Sequence, residues 1–287
     1  RYSRSDSTST AVGGHCHSRP RTSSPPLAAG SVAINGGVVN TTGAQSYGES
    51  ATLGADNVIT STGAGAITFG NTLDGARNLT LNTAGVTTFN GKVGDGTALT
   101  SLTTNTGGSV VINGGLIKTT GAQTINKAIT LGADTTLRGV NVALMSTVDG
   151  AQAFTIYDSG TTVLGGNIGS VTPLMSLATD SFTTAAGETH IKGASIHTTT
   201  DAVFNDIVKI FNTVQMQTGG DLRFMQTVDA NATLEVLNSN SYHFSSFIGD
   251  TFISAFNHFS NLTNSITTVL CFFDDILLFS NLAFSFS

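Results

Sequence analysis

Side chains able to carry chemistry are few in this chain and stand far apart. The acids between 30 and 150, Glu49, Asp56, Asp74, Asp95, Asp134 and Asp149, are spread thinly. A glycosidase needs two carboxyl groups, or an acid beside an Arg or Lys, brought to one face. No such cluster can be read in the sequence. Asp56 and Asp134 recur at equivalent positions, as do Asp74, Asp149 and Asp229. Recurrence once per unit is the habit of a turn residue, an Asp before Gly closing the turn through its own backbone. A ladder of calcium ligands would need the GGxGxDxUx nonapeptide, which is absent. Gly94-Asp95-Gly96 and Gly63-Ala64-Gly65 do not extend into a GxxxxGK[ST] phosphate loop. His190 and His197, seven residues apart, are read as solvent-exposed histidines rather than ligands. His15-Cys16-His17 are three adjacent donors on an aperiodic arm, a poor metal site. The expectation is therefore no catalytic, cofactor-binding or metal-ligating residue, and no cofactor.

What must position any functional surface is a repeat. Gly30–Asp56 returns 78 residues later as Gly108–Asp134, with 17 of 27 positions identical. LDGARNLTL at 73–81, VDGAQAFTI at 148–156 and VDANATLEV at 228–236 follow at offsets of 75 and 80, and a degraded third copy runs through Gly187–Asn238. Self-similarity at a fixed period signals a repeat architecture.

A finer beat lies inside each copy. Short apolar alternations centre on Ile34, Leu53, Phe69, Phe89, Ile112, Leu131, Met145, Leu164, Ile191, Ile210 and Phe224, at spacings of 14 to 27. Four of these spacings (19, 16, 20, 23) make up the 78-residue period. Alternation over about four to eight residues, bounded by Gly and Asn, is the half-buried strand pattern. Asn35-Gly36-Gly37, Asp74-Gly75, Asn90-Gly91 and Asn113-Gly114-Gly115 supply the turns. Gly, Thr, Ser and Asn dominate, and none favours a helix interior. A unit of about 20 residues cannot bury its apolar face alone and must stack on its neighbours. The predicted fold is all-β, a right-handed parallel β-solenoid with coils of about 20 residues; an antiparallel sandwich is the alternative.

Composition bounds the partners. Charged residues make up 10% of the chain and the net charge is −6. The eight basic residues between 30 and 238 are scattered singly, which argues against nucleic acid. Cys16 and Cys271 lie outside the repeats and do not fix a redox compartment. Residues 1–29 read as a disordered or non-native arm without the apolar core of a signal peptide. Residues 30–238 form the repeat array. Residues 239–287 form a Phe-rich tail that holds ten of the 17 phenylalanines and one glycine, Gly249. Within this tail, ITTVLCFFDDILL at 266–278 is apolar, but Asp274-Asp275 interrupts it as a membrane span. The alternation LAFSFS at 282–287 suggests a barrel strand, but one strand is far short of a barrel. An out-of-frame or truncated copy is the third reading of the tail.

The phrases TTGAQxYxxxxTLGAD, LDGxxNLTLNTAGxTTFNGxVG and ALTSLTTNxGGSVxING resemble the long bacterial β-strand-repeat surface proteins, relatives of filamentous-haemagglutinin-like adhesins and autotransporter passenger domains. The resemblance covers about residues 30–238. It implies a solenoid stalk at the bacterial cell surface or outside the cell. That stalk would be non-catalytic, working in adhesion or surface structure, with its export signal and membrane anchor outside the array. The expected contacts are glycans, a host or neighbouring cell's surface, and flanking repeats of a longer chain. The competing classes are a carbohydrate-active β-helix enzyme (a polysaccharide lyase or hydrolase) and an ice- or surface-binding solenoid; the latter needs a flat, regular Thr array.

Overall fold

Short stretches that alternate apolar and small polar residues become strands of two to six residues almost everywhere in the array, each with one side in the interior. The computed structural model describes residues 30–180, 187–237, 239–248, 253–256, 271–273 and 276–278. In this all-β solenoid of about ten turns, with coils of about 20 residues, every strand pair of the array is parallel. Parallel pairing removes the sandwich alternative, because hairpin-linked sheets are antiparallel.

Each coil lays one strand on each of three faces. In the first coil these are Ser31–Ile34, Val38–Thr41 and Gln45–Tyr47. The coil above repeats the order with Ser50–Leu53, Asn57–Ser61 and Ile67–Phe69, pairing Ile34 with Leu53, Val39 with Ile59 and Tyr47 with Phe69. The ladders continue past residue 238: Ser241–Ile248 pairs with Asp221–Ala230, and Ile253–Phe256 pairs with Leu234–Leu237. Cys271–Phe273 and Ile276–Leu278 form a separate antiparallel pair. The arm at 1–29 and the stretch at 282–287 lie outside the described residues, as does most of 266–278.

The sequence repeat and the coil do not coincide. Ser31–Ile34 lies on the first face, yet its counterpart Ser109–Ile112 lies on the third and Glu188–Ile191 on the second. Between the first two, the chain passes ten strands and one split strand, bridged at Val93 and Leu99, which makes eleven steps around three faces. The next interval is again ten strands plus one split strand, bridged at Ile168 and Leu174. One unit is thus three and two-thirds turns, not the four suggested by the apolar beat. The beat follows the strongest alternations and shifts from the first face (Ile34, Leu53) to the third (Phe69, Phe89) without a mark in the sequence.

The core is a continuous column of buried apolar side chains, from Ile34 to Val236. Equivalent positions stack on one another. Tyr47, Phe69 and Phe89 form one run of parallel rings at 5.0 and 5.6 Å, and Phe204, Phe224 and Phe244 form a second at 5.0 and 4.9 Å. Such pairs add about 0.5–1.5 kcal/mol each beyond their burial. Where the pattern breaks, the break recurs: Val93 and Leu99 are two halves of a strand split by a loop, and Ile168 and Leu174 repeat this one unit later. Gly94 and Gly169 open these loops at φ of +74° and +68°.

Candidate functional site

Four of the five recurrent acids, Asp56, Asp74, Asp134 and Asp149, serve the stacking of coils. Asp74 Oδ1 accepts the N–H groups of Gly96 and Thr97, both at 2.9 Å, at the tip of the first inserted loop. Asp149 Oδ1 does the same for Val171 and Thr172, at 2.7 and 3.1 Å, at the second. Asp56 takes the backbone N–H and the side-chain amide of Asn78, at 2.9 and 2.8 Å, and Asp134 takes the N–H of Ala153. The Asn78 bonds lower the Asp56 pKa. The turn expectation is corrected in one respect: these carboxylates bind the following coil, 19 to 23 residues on, rather than their own turn. The turn itself is made by the glycine. Gly75 and Gly150 stand at φ of +126° and +131°, and the Arg77 N–H reaches the Gly75 carbonyl at 2.7 Å. Asp95 pairs with Lys92 on the exposed loop, and Glu49 is exposed.

Outward rows are small and polar. By register, Val58, Thr80, Thr103, Thr124 and Ala143 succeed one another on the second face. Ser46, Thr68, Thr88, Val111 and Thr130 do so on the third. Apolar residues interrupt both rows, so neither is an unbroken threonine lattice.

The histidine expectation is also corrected. His190 and His197 are half-buried, and His190 Nε2 lies 2.9 Å from Glu188 Oε2 on the same strand. The signal was available: residues two apart in a strand share a face. Lys209, one coil on, binds both Glu188 oxygens at 2.8 and 2.9 Å, and these two partners lower the Glu188 pKa. Phe211, partly exposed, packs against the His190 ring at 5.0 Å, with the Lys192 ammonium 5.3 Å from its own ring centre. The charges of this mixed patch are largely spent on each other.

Two polar features are interior. Lys127, 1% exposed, donates to the Thr83 carbonyl at 2.6 Å, and burial lowers its pKa. The first unit has the exposed Glu49 at the equivalent place. More unusual is a run of three carboxyl groups, Asp158, Asp180 and Asp206, at 1%, 3% and 0% exposure, on consecutive coils at the corner between the first and second faces. None of the three recurs between sequence units, so the repeat does not single them out. Their spacings of 22 and 26 are coil spacings, and each acid stands at or just past the end of a strand. Acids one coil apart at strand ends are the pattern that could have revealed them.

Among the described residues, no group of three or more His, Cys, Asp or Glu side chains is disposed to hold a metal ion, and no helix is long and apolar enough to cross a membrane. The fold and these faces define a parallel β-solenoid whose acids largely staple coil to coil. No protein-family model, curated protein or solved structure matches the chain.

Proposed function

We propose that the chain is a structural and adhesive repeat segment of a secreted or cell-surface bacterial protein, non-catalytic, and working as a stiff spacer. The observation that carries this reading is the use made of its acids. Asp56, Asp74, Asp134 and Asp149 all accept backbone N–H groups of the next coil, so these acids are engaged in building the rod. The rows of Thr, Ser and Ala left outside suit weak contacts repeated along a surface. Linking such contacts raises avidity roughly 10²–10⁴-fold without any tight pocket. The resemblance to bacterial β-strand-repeat surface proteins supports the same assignment, with glycans or a neighbouring cell's surface as the contacts.

The test is retention of beads densely coated with the chain on a panel of immobilised glycans under flow, with a monomeric soluble sample in parallel. Retention of beads with negligible monomer binding is expected. Release of new reducing or unsaturated sugar ends from any polysaccharide on the panel would overturn the proposal in favour of an enzyme.

A further inference from the structure

Burying three carboxyl groups side by side is costly unless each is bonded or loses its charge. Asp158 meets the first condition: Oδ1 accepts the N–H groups of Asn141 and Gly160, both at 2.8 Å, and Oδ2 accepts the Val142 N–H at 2.7 Å and the Thr162 hydroxyl at 3.2 Å. Asp206 accepts the hydroxyls of Thr179 at 3.0 Å and Thr189 at 2.8 Å. Asp180 is different. Its Oδ1 takes the Asp158 N–H at 2.6 Å, while its buried Oδ2 meets no donor among the described residues. Asp206 holds the hydroxyl of Thr179, the residue before Asp180, and the Asn205 amide holds the Asp180 carbonyl, so the two buried acids share one corner of adjacent coils. Two neighbouring buried carboxylates disfavour each other's charge, and sharing one proton relieves that repulsion.

We infer that a proton shared by Asp180 and Asp206 latches the eighth coil to the ninth, and that its loss on alkalinisation loosens this corner of the array. Asp180 sits at φ +52°, and the Asn205 amide ties the Thr179 and Asp180 carbonyls to the coil above at 3.0 and 2.8 Å, so the latch holds backbone as well as side chains. The charged groups acting on Asp180 are Asp206 above and Asp158 below, and both oppose its ionisation; the hydroxyls of Thr179 and Thr189, which bind Asp206, are neutral. Burial first, then these neighbours, push the Asp180 pKa to about 7, against the Asp158 N–H, which lowers it; burial also raises Asp206. The folded protein therefore binds more protons than the unfolded chain between the ordinary value of 3.8 and about 7. Stability contributed by this corner is complete below that window, falls as pH rises through it, and is flat above.

The experiment is hydrogen exchange of the full chain at pH 5 and pH 8.5, corrected for the intrinsic pH dependence of exchange, with the amides of Asn57–Phe89 as internal reference. Relative protection of the Asp158 amide and of strands Ser176–Thr179 and Ile207–Ile210 should fall about tenfold or more at the higher pH. Asp180→Asn keeps a donor toward Asp206 and suits a positive φ; in this variant the pH response should vanish. If that variant does not give the β circular dichroism of the parent, Asp206→Asn makes the same test. An unchanged pH response in the folded variant, or no response in the parent, would overturn the latch. Restoration of protection at pH 8.5 by millimolar calcium but not by equal ionic strength of sodium would also overturn it, because a cation rather than a proton would then be the natural neutraliser.

Discussion

Gly75 shows how much of this architecture rests on single residues. At φ +126°, a side chain there would be strained, and its Cβ would come 2.5 Å from the Leu53 carbonyl oxygen of the coil below. Gly75→Ala is expected to cost about 1–3 kcal/mol. Gly36→Ala, where a Cβ meets nothing within 4 Å and φ is not positive, should be near neutral or slightly stabilising. Denaturant titration of the two variants against the parent checks the contrast, and equal effects would remove the strain argument. The third unit answers the same point in its own sequence. Ala230 replaces the glycine, closes the strand Asp221–Ala230 and is not among the residues at positive φ, so the turn that follows is made without that conformation. At this scale the sequence was a good guide to residue type and a poor one to partner. That Asp74 belonged beside Gly75 could be read directly. That its carboxylate would hold Gly96 and Thr97 could not, since the bond depends on which coil lies above.

Among the elements, the ring stacks are the most exacting. Phe69 lies between Tyr47 and Phe89 with interplanar angles of 10° and 8°, fully enclosed by the coils on either side. Phe69→Ala should cost about 3–5 kcal/mol, and Tyr47→Ala, at the half-buried end of the stack, should cost less. The loss is expected to be local, read as faster exchange of the amides in Ser50–Phe89 with strands beyond Ile207 unaffected, because coils depend on their nearest neighbours. Uniform loss across the array would contradict this. Period-two alternation made the strands legible, but not always their inward side. The sequence centres one beat on Met145, whereas Leu144 is fully buried and Met145 is 48% exposed. Two adjacent apolar residues satisfy the pattern in either register, and packing against Ile125 and Leu164 decides between them.

For the whole molecule, parallel strands about 4.8 Å apart over about ten turns make a rod near ~50 Å long. Small-angle scattering of the full chain should give an elongated profile with a maximum dimension of that length or more, and a globular profile would refute a continuous stack. The 78-residue period was plain from the sequence, and stacking followed from it. The number of turns per unit was not, because counting turns requires knowing how many faces a coil has. Three faces and eleven steps leave each unit one step short of closing.

That shortfall makes the array behave like a spiral staircase. The inserted loop of the first unit leaves the rod on the first face and that of the second on the third, each pinned from below by Asp74 or Asp149. The second loop carries Val171, 84% exposed, at its tip. A third unit on the same rule would point its loop along the remaining direction, and a fourth would return to the first. A rod built this way has no blank side: however it lies against a neighbour, one unit in three turns the same loop toward it. The reach of such a surface would then scale with the number of units rather than with the orientation of the rod.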